Sequence, residues 1–437
     1  MFDISSVYQI FKEFPVVCTD TRNCVPGSLF FALKGDHFNA NAFAADALAK
    51  GCRYAIIDEP EFAADERFIV VPSVLETLQQ LATYHRCQLG TKIIGITGTN
   101  GKTTTKELIA SVLKEKFNVH FTKGNLNNQI GVPVTLLQLT AEHEVAVVEM
   151  GANHPGEIRT LVNIARPDYG IITNVGKAHL EGFGSFEGVM NTKAELYDYI
   201  HAAGGQIFIN TGNAFLNQMA EKAGITAESE IEYSLDKCNR PDGVKGVITS
   251  CSPFLSLSYT VADGVANDIN TRLIGAYNAE NVLAAVTIGR FMGESADQIK
   301  TGLESYVPQN NRSQLTLTDK NKLVVDAYNA NPTSMRAAVM NFYQMDVENK
   351  VLILGDMLEL GSQSEGEHQN MVDLLQQKGF ERVMLVGSEF GKTKNKYPVF
   401  STVDDLTNFL SIHPVENSFV LIKGSRGIRL EKVIGLL

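Results

Sequence analysis

The stretch "GITGTNGKTTT", Gly95 to Thr105, sets a lysine and three threonines directly after a glycine-rich loop. A loop of this kind, between an apolar strand and a helix, offers an anion a row of backbone N–H groups and the positive helix end. Glycines let the backbone approach phosphate closely and take positive φ. Lys102 is placed to neutralise the β- and γ-phosphates of a nucleotide, and the hydroxyl of Thr103 or Thr104 to reach Mg²⁺. The glycines fall at 95, 98 and 101, whereas the usual phosphate-loop pattern needs one at 96, where Ile96 stands. The loop is therefore one residue longer than the standard spacing and keeps its chemistry. Gly98, Thr99, Asn100, Gly101, Lys102, Thr103 and Thr104 are the candidate nucleotide-binding residues.

Further residue types fit the same chemistry. Glu149 ends the apolar run "AVVEM"; a carboxylate at the end of a parallel strand beside a phosphate loop is placed for Mg²⁺. Asn278 and Asn281 in "YNAEN" lie one helical turn apart and share a face, where amides suit the edge of adenine. Arg312 in "NNRSQ" sits at a junction between segments, and its planar guanidinium suits a γ-phosphate that domain closure would bring to it. Asp326, at the end of "KLVVD", is a candidate for the nucleotide ribose. Glu149, Asn278, Asn281 and Asp326 each have a plainer reading as an ordinary strand-end or helix polar residue.

These residues need a scaffold. From Lys92 apolar runs alternate with helical segments: "KIIGI", "EVAVVEM", "YGIITNV" and "QIFIN", with helices expected over Thr103–Phe117, Pro155–Ala165 and Phe186–Ile200. Nearly unbroken apolar strands joined by helices imply a parallel sheet covered on both faces. Residues 230–275 read as β-rich, and "NAENVLAAVTIGRFMG" as helical. Before this block lie the short strands "VVCTDT", "SLFFALKG", "RYAIID" and "FIVVPS", closed by an amphipathic helix from Val74 to Gln88. After Pro308 a second alternation begins: "KLVVDAY", a helix from Pro332, "VLILGDM", a helix near 367–378, "RVMLVG" and "SFVLIKG". The expected fold class is α/β with three domains. They are a small α/β N-terminal domain over 1–90, a central P-loop-type parallel-sheet ATPase domain over 91–307, and a C-terminal Rossmann-like α/β domain over 308–437.

Composition bounds the function. The 437 residues exceed one ordinary core. With 44% hydrophobic and 20% charged residues the chain is globular, and its net charge of −11 opposes broad nucleic-acid binding. Six scattered cysteines with no C-x-x-C pair argue against a disulfide framework or zinc knot and for a reducing compartment. No signal-peptide core opens the sequence and no apolar run of about 18 residues occurs. A cytoplasmic protein without membrane insertion is expected.

The loop "GITGTNGKTTT" resembles the ATP site of the Mur ligases and of their folylpolyglutamate-synthase relatives. "KGNLNNQIGVPVTLL", "MGANHPGEI", "AHLEGFGS", "DAYNANP" and "GDMLELG" narrow the resemblance to the UDP-N-acetylmuramoyl-tripeptide–D-alanyl-D-alanine ligases, the MurF family. A folylpolyglutamate synthase would share the loop without "GNLNN" and "YNANP". A nucleotide-dependent binding protein that has lost turnover is the other alternative, opposed by the presence of Lys102, Glu149, His179 and Arg312.

The resemblance implies an ATP-dependent amide ligase acting on UDP-N-acetylmuramoyl-tripeptide and D-alanyl-D-alanine through an acyl phosphate, as a monomer. It implies two Mg²⁺ ions, with Thr103, Glu149, His179 and a carbamylated Lys193 as ligands; His179 and Lys193 serve the second. It makes Lys102, Glu149, His179, Lys193 and Arg312 the catalytic set. Thr19, Asp20, Thr21 and Arg22 in "TDTR" would meet the uridine diphosphate. Asn127 and Asn128 would meet the muramoyl part, and Tyr328, Asn329 and Asn331 the nucleotide and incoming dipeptide. Asn331 also reads as the N-cap before Pro332. Asp356 and the turn Lys423 to Arg426 are weaker candidates. Tyr277 departs from the histidine frequent in the family, Thr21 from serine, and Ala327 from serine.

Overall fold

A computed structural model describes residues 3–261, 264–309 and 312–437. Three main sheets follow one another along the chain. The first has four parallel strands in the order Val17–Cys18, Leu29–Phe31, Tyr54–Ile57 and Phe68–Val70. The helix Val74–Gln88 has the predicted bounds and begins with Ser73 accepting a hydrogen bond from the Glu76 amide. Its buried face, with Leu78, Leu81 and Ala82, joins one apolar cluster with Leu136, Leu139, Ile158 and Leu161 of the following unit. Polar contacts follow the same path: Thr83 Oγ1 donates to the Ile164 carbonyl (3.1 Å), and Arg86 pairs with Asp168 (2.9 Å).

The second sheet has nine strands. Lys92–Thr97 lies between Val145–Glu149 and Tyr169–Ile172, and the parallel part extends to Val244–Cys251 before two antiparallel strands, Leu255–Thr260 and Asn267–Asn270, complete it. Strand order reverses beside Lys92–Thr97, since the chain first builds outward to Val119–Phe121 and then continues on the other side. The carboxyl ends of strands at such a switch point form a natural ligand crevice. Register puts Ile96 opposite Glu149 and Thr97 opposite Ile172, so the loop and that carboxylate are neighbours.

The third sheet orders Gln314–Leu317, Asn321–Asp326, Ser418–Lys423, Lys350–Gly355, Val383–Val386 and Val399–Phe400, all parallel except the first pair. Its register sets Asp326 beside Lys423.

Local differences have local causes. The loop helix runs Lys102–Leu113, shorter than expected, because the chain turns before Phe117. The helix expected from Pro155 begins at Glu157, whose carboxylate turns back to accept the amides of Asn153 (2.6 Å) and His154 (3.0 Å). "VVCTDT" contributes only Val17–Cys18 as strand, since Asp20 turns the chain by accepting the Arg22 amide. Helices Ile4–Glu13 and Ala296–Ser305 and the edge strand Val119–Phe121 were not expected.

Candidate active site

The phosphate loop is rigidly braced. Gly98 has φ +145°, and a Cβ there would lie 1.9 Å from Thr173 Oγ1; Gly101 has φ +79°, and its Cβ would lie 2.6 Å from Asn281 Oδ1. Both positions therefore require glycine. The segment after Tyr169–Ile172 holds the loop from one side. The Thr99 amide donates to the Asn174 carbonyl and the Asn100 amide to Asn174 Oδ1, each at 2.9 Å. The Asn100 carbonyl accepts Thr173 Oγ1 (2.6 Å) and Asn174 Nδ2 (3.0 Å). Helix Ala279–Phe291 holds it from the other side: Thr105 Oγ1 donates to Asn281 Oδ1 (3.0 Å), Asn281 Nδ2 to Asn278 Oδ1 (2.8 Å), and Asn278 Nδ2 to the Ile274 carbonyl (2.8 Å). Asn278 and Asn281 thus spend amide groups on bracing the loop while also lining the cavity.

Lys102 folds its Nζ back onto the Gly98 carbonyl (2.7 Å) and the Thr99 carbonyl (3.2 Å). Burial pulls its pKa below the ordinary lysine value, Glu149 opposes that shift, and Arg312 adds to it. A phosphate would supply the anionic partner that these carbonyls replace only in part.

Glu149 is 2% exposed. Its Oε1 accepts Thr103 Oγ1 (3.2 Å) and Asn127 Nδ2 (2.8 Å), while Oε2 accepts no hydrogen bond from a described residue. A buried carboxylate oxygen without a donor, beside a hydroxyl and a phosphate loop, fits a hard cation. Among the described residues no three His, Cys, Asp or Glu side chains gather as a cage. Mg²⁺ needs none, because it is commonly held by one or two carboxylates, water and substrate phosphates.

The third sheet faces the loop across one cavity of about 850 Å³. Thr99 to Thr104, Asn127, Asn128, Glu149 and His179 line it from the central sheet, and Arg312, Asp326, Tyr328 and Asn329 from the other side. Arg312 lies with its guanidinium 3.6 Å from the Tyr328 ring centre. Lys423, 1% exposed, donates to Asp326 Oδ2 at 2.5 Å. Asn329 Oδ1 accepts the Ala330 amide (2.9 Å). Asn331 takes the N-cap reading: it caps helix Pro332–Gln344 in a reciprocal box with Ser334, and its Nδ2 donates to Asn100 Oδ1 (2.7 Å). His179 faces Glu359 of "GDMLELG", whose carboxyl is held below its usual range by that contact.

Other candidates lie outside this cavity or are engaged elsewhere. Gly98 and Asn331 do not line it. Lys193, 3% exposed in helix Phe186–Ala202, is buried near the Phe183 ring (5.8 Å) and forms no ion pair with a described residue. Burial, with Lys102 adding, holds its pKa well below the ordinary value. Asn128 lines the wall but spends Oδ1 on the amides of Ile130 (3.1 Å) and Gly131 (2.9 Å). Thr19, Asp20, Thr21 and Arg22 lie on the first sheet's unit; Arg22 grips Asp20 (2.7 Å), whose pKa falls to about 2. Asp356 accepts the amides of Glu389 and Phe390, each at 2.9 Å, so it caps the short helix Ser388–Gly391 and does not line the cavity.

Sequence reasoning missed Lys106, Asn174 and Glu359. Lys106 carried a signal: it follows Thr103 by three helical positions and so shares its inward face.

Comparison with known proteins agrees with this architecture. Residues 96–289 match the Mur ligase middle domain, and residues 311–426 the Mur ligase glutamate ligase domain. The chain is 35% identical over 428 residues to the UDP-N-acetylmuramoyl-tripeptide–D-alanyl-D-alanine ligase of Escherichia coli, covering 96% of this chain and 93% of that protein. It is 31% identical to the enzyme of the same name from Bacillus subtilis, covering 96% and 92%. The crystal structure of MurF from Acinetobacter baumannii superposes with a TM-score of 0.84 at 32% identity, covering 96% of this chain and 92% of that one. The Thermotoga maritima MurF ligase in complex with ADP shares the fold, with a TM-score of 0.85 at 24% identity over 100% and 98% of the two chains. A braced phosphate loop, a buried carboxylate at the switch point and a third sheet facing both are thus set in a chain similar to these enzymes along nearly its whole length, and the chain belongs to the UDP-N-acetylmuramoyl-tripeptide–D-alanyl-D-alanine ligase family of Mur ligases.

Proposed function

We propose that this chain joins D-alanyl-D-alanine to UDP-N-acetylmuramoyl-tripeptide with consumption of ATP, in peptidoglycan synthesis. The observation that carries the reading is the single cavity in which Lys102, Glu149, Arg312 and Tyr328 converge from two sheets, in a chain 35% identical to an enzyme of that name. A bare carboxylate is a poor acylating agent because its leaving group would be oxide. Phosphorylation by ATP makes phosphate the leaving group, and the dipeptide amine then attacks the acyl carbon.

The residues divide the work as follows. The loop amides and Lys102 bind the ATP phosphates, with Asn278 and Asn281 bordering the adenine side and Asp326 the ribose. Arg312 meets charge that develops as the γ-phosphoryl group moves. Thr103, Glu149 and His179 would hold Mg²⁺, with Lys193 as a carbamate; two divalent ions would supply charge compensation for phosphate and carboxylate together. Asn127 and Asn128 serve the muramoyl side, and Tyr328, Asn329 and Asn331 the side that faces nucleotide and incoming dipeptide. Thr19 to Arg22 serve the uridine diphosphate. Domains over 1–90, 91–307 and 308–437 then carry UDP-substrate, ATP and dipeptide, and closure keeps water from the acyl phosphate. The protein works as a cytoplasmic monomer; among the described residues no helix is long and apolar enough to cross a membrane.

A coupled assay of phosphate release tests the reading, with tripeptide substrates ending in diaminopimelate or in lysine. Release that requires ATP, one tripeptide substrate and D-alanyl-D-alanine together is expected. ATP binding without such release would instead identify a regulatory protein.

A further inference from the structure

Lys106 has no exposed surface (0%). It lies in helix Lys102–Leu113, one turn beyond Thr103. Its Nζ stands 3.4 Å from Glu149 Oε2 and 4.0 Å from Glu107 Oε1, with the Phe121 ring 5.9 Å away. Among the described residues neither Lys106 Nζ nor Glu149 Oε2 makes a hydrogen bond, although Glu149 Oε1 accepts two. The other oxygen of Glu107 is taken by the Tyr306 hydroxyl at 2.6 Å. A buried ammonium without an acceptor is costly, and so is a buried carboxylate oxygen without a donor. The two face each other as charges with their hydrogen-bonding capacity unspent.

We propose that Lys106 is the resting counter-ion of Glu149, a positioning residue that holds this carboxylate toward the phosphate loop and weakens the divalent cation that replaces it. The inference rests on the reading of Glu149 as a metal ligand. Without a cation at the site, Lys106 supplies the only opposite charge within 4.0 Å of Glu149 among the described residues. When a divalent ion joins the carboxylate, ion and ammonium repel one another in a poorly hydrated interior, where charges interact strongly. The repulsion lowers affinity and favours release with the spent nucleotide. Removing the ammonium therefore has two effects of opposite sense: the metal-free protein loses stability, and the metal-bound protein holds its ion more tightly. A lysine that only supports packing would give the first effect without the second.

The test uses full-length protein with Lys106→Met and Lys106→Arg. Thermal unfolding is followed with ADP present, in EDTA and in rising MgCl₂. Mn²⁺ affinity is measured by electron paramagnetic resonance under the same conditions. For Lys106→Met we expect a lower Tm in EDTA, recovery of that loss with MgCl₂, and Mn²⁺ held roughly tenfold tighter, while Lys106→Arg, which keeps the charge, stays close to the parent. Lys106→Gln, run in parallel, removes the charge but keeps a donor, so a methionine variant that fails to fold leaves the measurement intact. Unchanged or weaker Mn²⁺ binding in the neutral variants, with Tm lowered equally in EDTA and MgCl₂, overturns the proposal. Glu149→Gln separates the two layers: lost Mn²⁺ binding there upholds Glu149 as a ligand whatever Lys106 does, and retained binding overturns both.

Discussion

Arg312 stacks its guanidinium on the ring of Tyr328, 3.6 Å from the ring centre, while its Nε is buried and donates to no acceptor among the described residues. Arg426 approaches the same ring at 5.7 Å. A guanidinium fixed flat against an aromatic face keeps its edge N–H groups free for an anion. Tyr328 follows the strand Asn321–Asp326 of the third sheet, so that sheet sets the cation at the edge of a cavity whose other wall is the phosphate loop.

This arrangement gives a graded expectation. Arg312→Ala should lower kcat on the order of 10²-fold and change ADP affinity much less, since the lost interaction belongs to the moving phosphoryl group. Arg312→Lys should recover little, because an ammonium neither stacks nor forks. Tyr328→Leu should fall between parent and Arg312→Ala. Steady-state kinetics with nucleotide titration checks the order, and a parent-like kcat in Arg312→Ala would remove the residue from the mechanism.

Tyr277 supplies a second link across the same boundary. Its hydroxyl lies 2.9 Å from Ser313 Oγ, and Ser313 holds a left-handed φ of 47° next to Arg312. Burial raises the phenol pKa, so the hydroxyl stays protonated and available for that bond. Tyr277→Phe should cost about 1 kcal/mol and reduce kcat several-fold with little change in the KM for ATP. Differential scanning calorimetry and kinetics measure the two effects, and a variant identical to the parent in both would show that this bond does not set Arg312.

Much of this arrangement was readable from local pattern. The phosphate loop, the parallel strands around it and Glu149 follow from periodicity and strand ends. Pairings that depend on sheet order were not readable. Asp326 meets Lys423 because two strands 97 positions apart are neighbours in register. His179 meets Glu359 because the third sheet docks on the second. Lys106 was passed over because a lysine on a helix ordinarily faces water; its spacing from Thr103 pointed inward, and the fold encloses it fully. Asp356 drew notice by its motif and proves to cap a helix elsewhere, since a carboxylate after a strand serves backbone amides as readily as a ligand.

Glu294 gives a pH-dependent test away from the site. It is 5% exposed, and neither carboxylate oxygen makes a hydrogen bond to a described residue. Burial raises its pKa from 4.5 to about 7, with Lys116 opposing and Glu115 adding. The folded state therefore binds more protons than the unfolded state between about pH 4.5 and 7, and stability contributed by this residue falls as pH rises through that window. Glu294→Gln should raise Tm at pH 8, where the buried carboxylate is mostly charged, and leave it nearly unchanged at pH 4.5. Parallel Tm scans of parent and variant measure the difference, and an equal Tm difference at both pH values would contradict the assignment.

Lys193 carries the last expectation. Helix Phe186–Ala202 buries this residue to 3% exposure, with no ion pair to any described residue. Burial and the nearby Lys102 both favour the neutral amine, and a neutral amine is the form that adds CO₂, losing one proton to leave a carbamate. The modification replaces a cation that would repel Mg²⁺ with hard oxygen ligands that Mg²⁺ prefers. Lys193→Ala should be nearly inactive, acetate should restore part of its activity, and Lys193→Glu should retain more than Lys193→Ala. If Lys193 instead works as an ammonium on phosphate, Lys193→Arg should keep substantial activity and acetate should do nothing. Protein equilibrated with ¹³C-bicarbonate at neutral pH provides a readout independent of turnover: a carbamate ¹³C resonance present in the parent and absent in Lys193→Ala is expected. Its absence from active parent protein would leave the buried lysine unmodified and rule out this route to a second metal ligand.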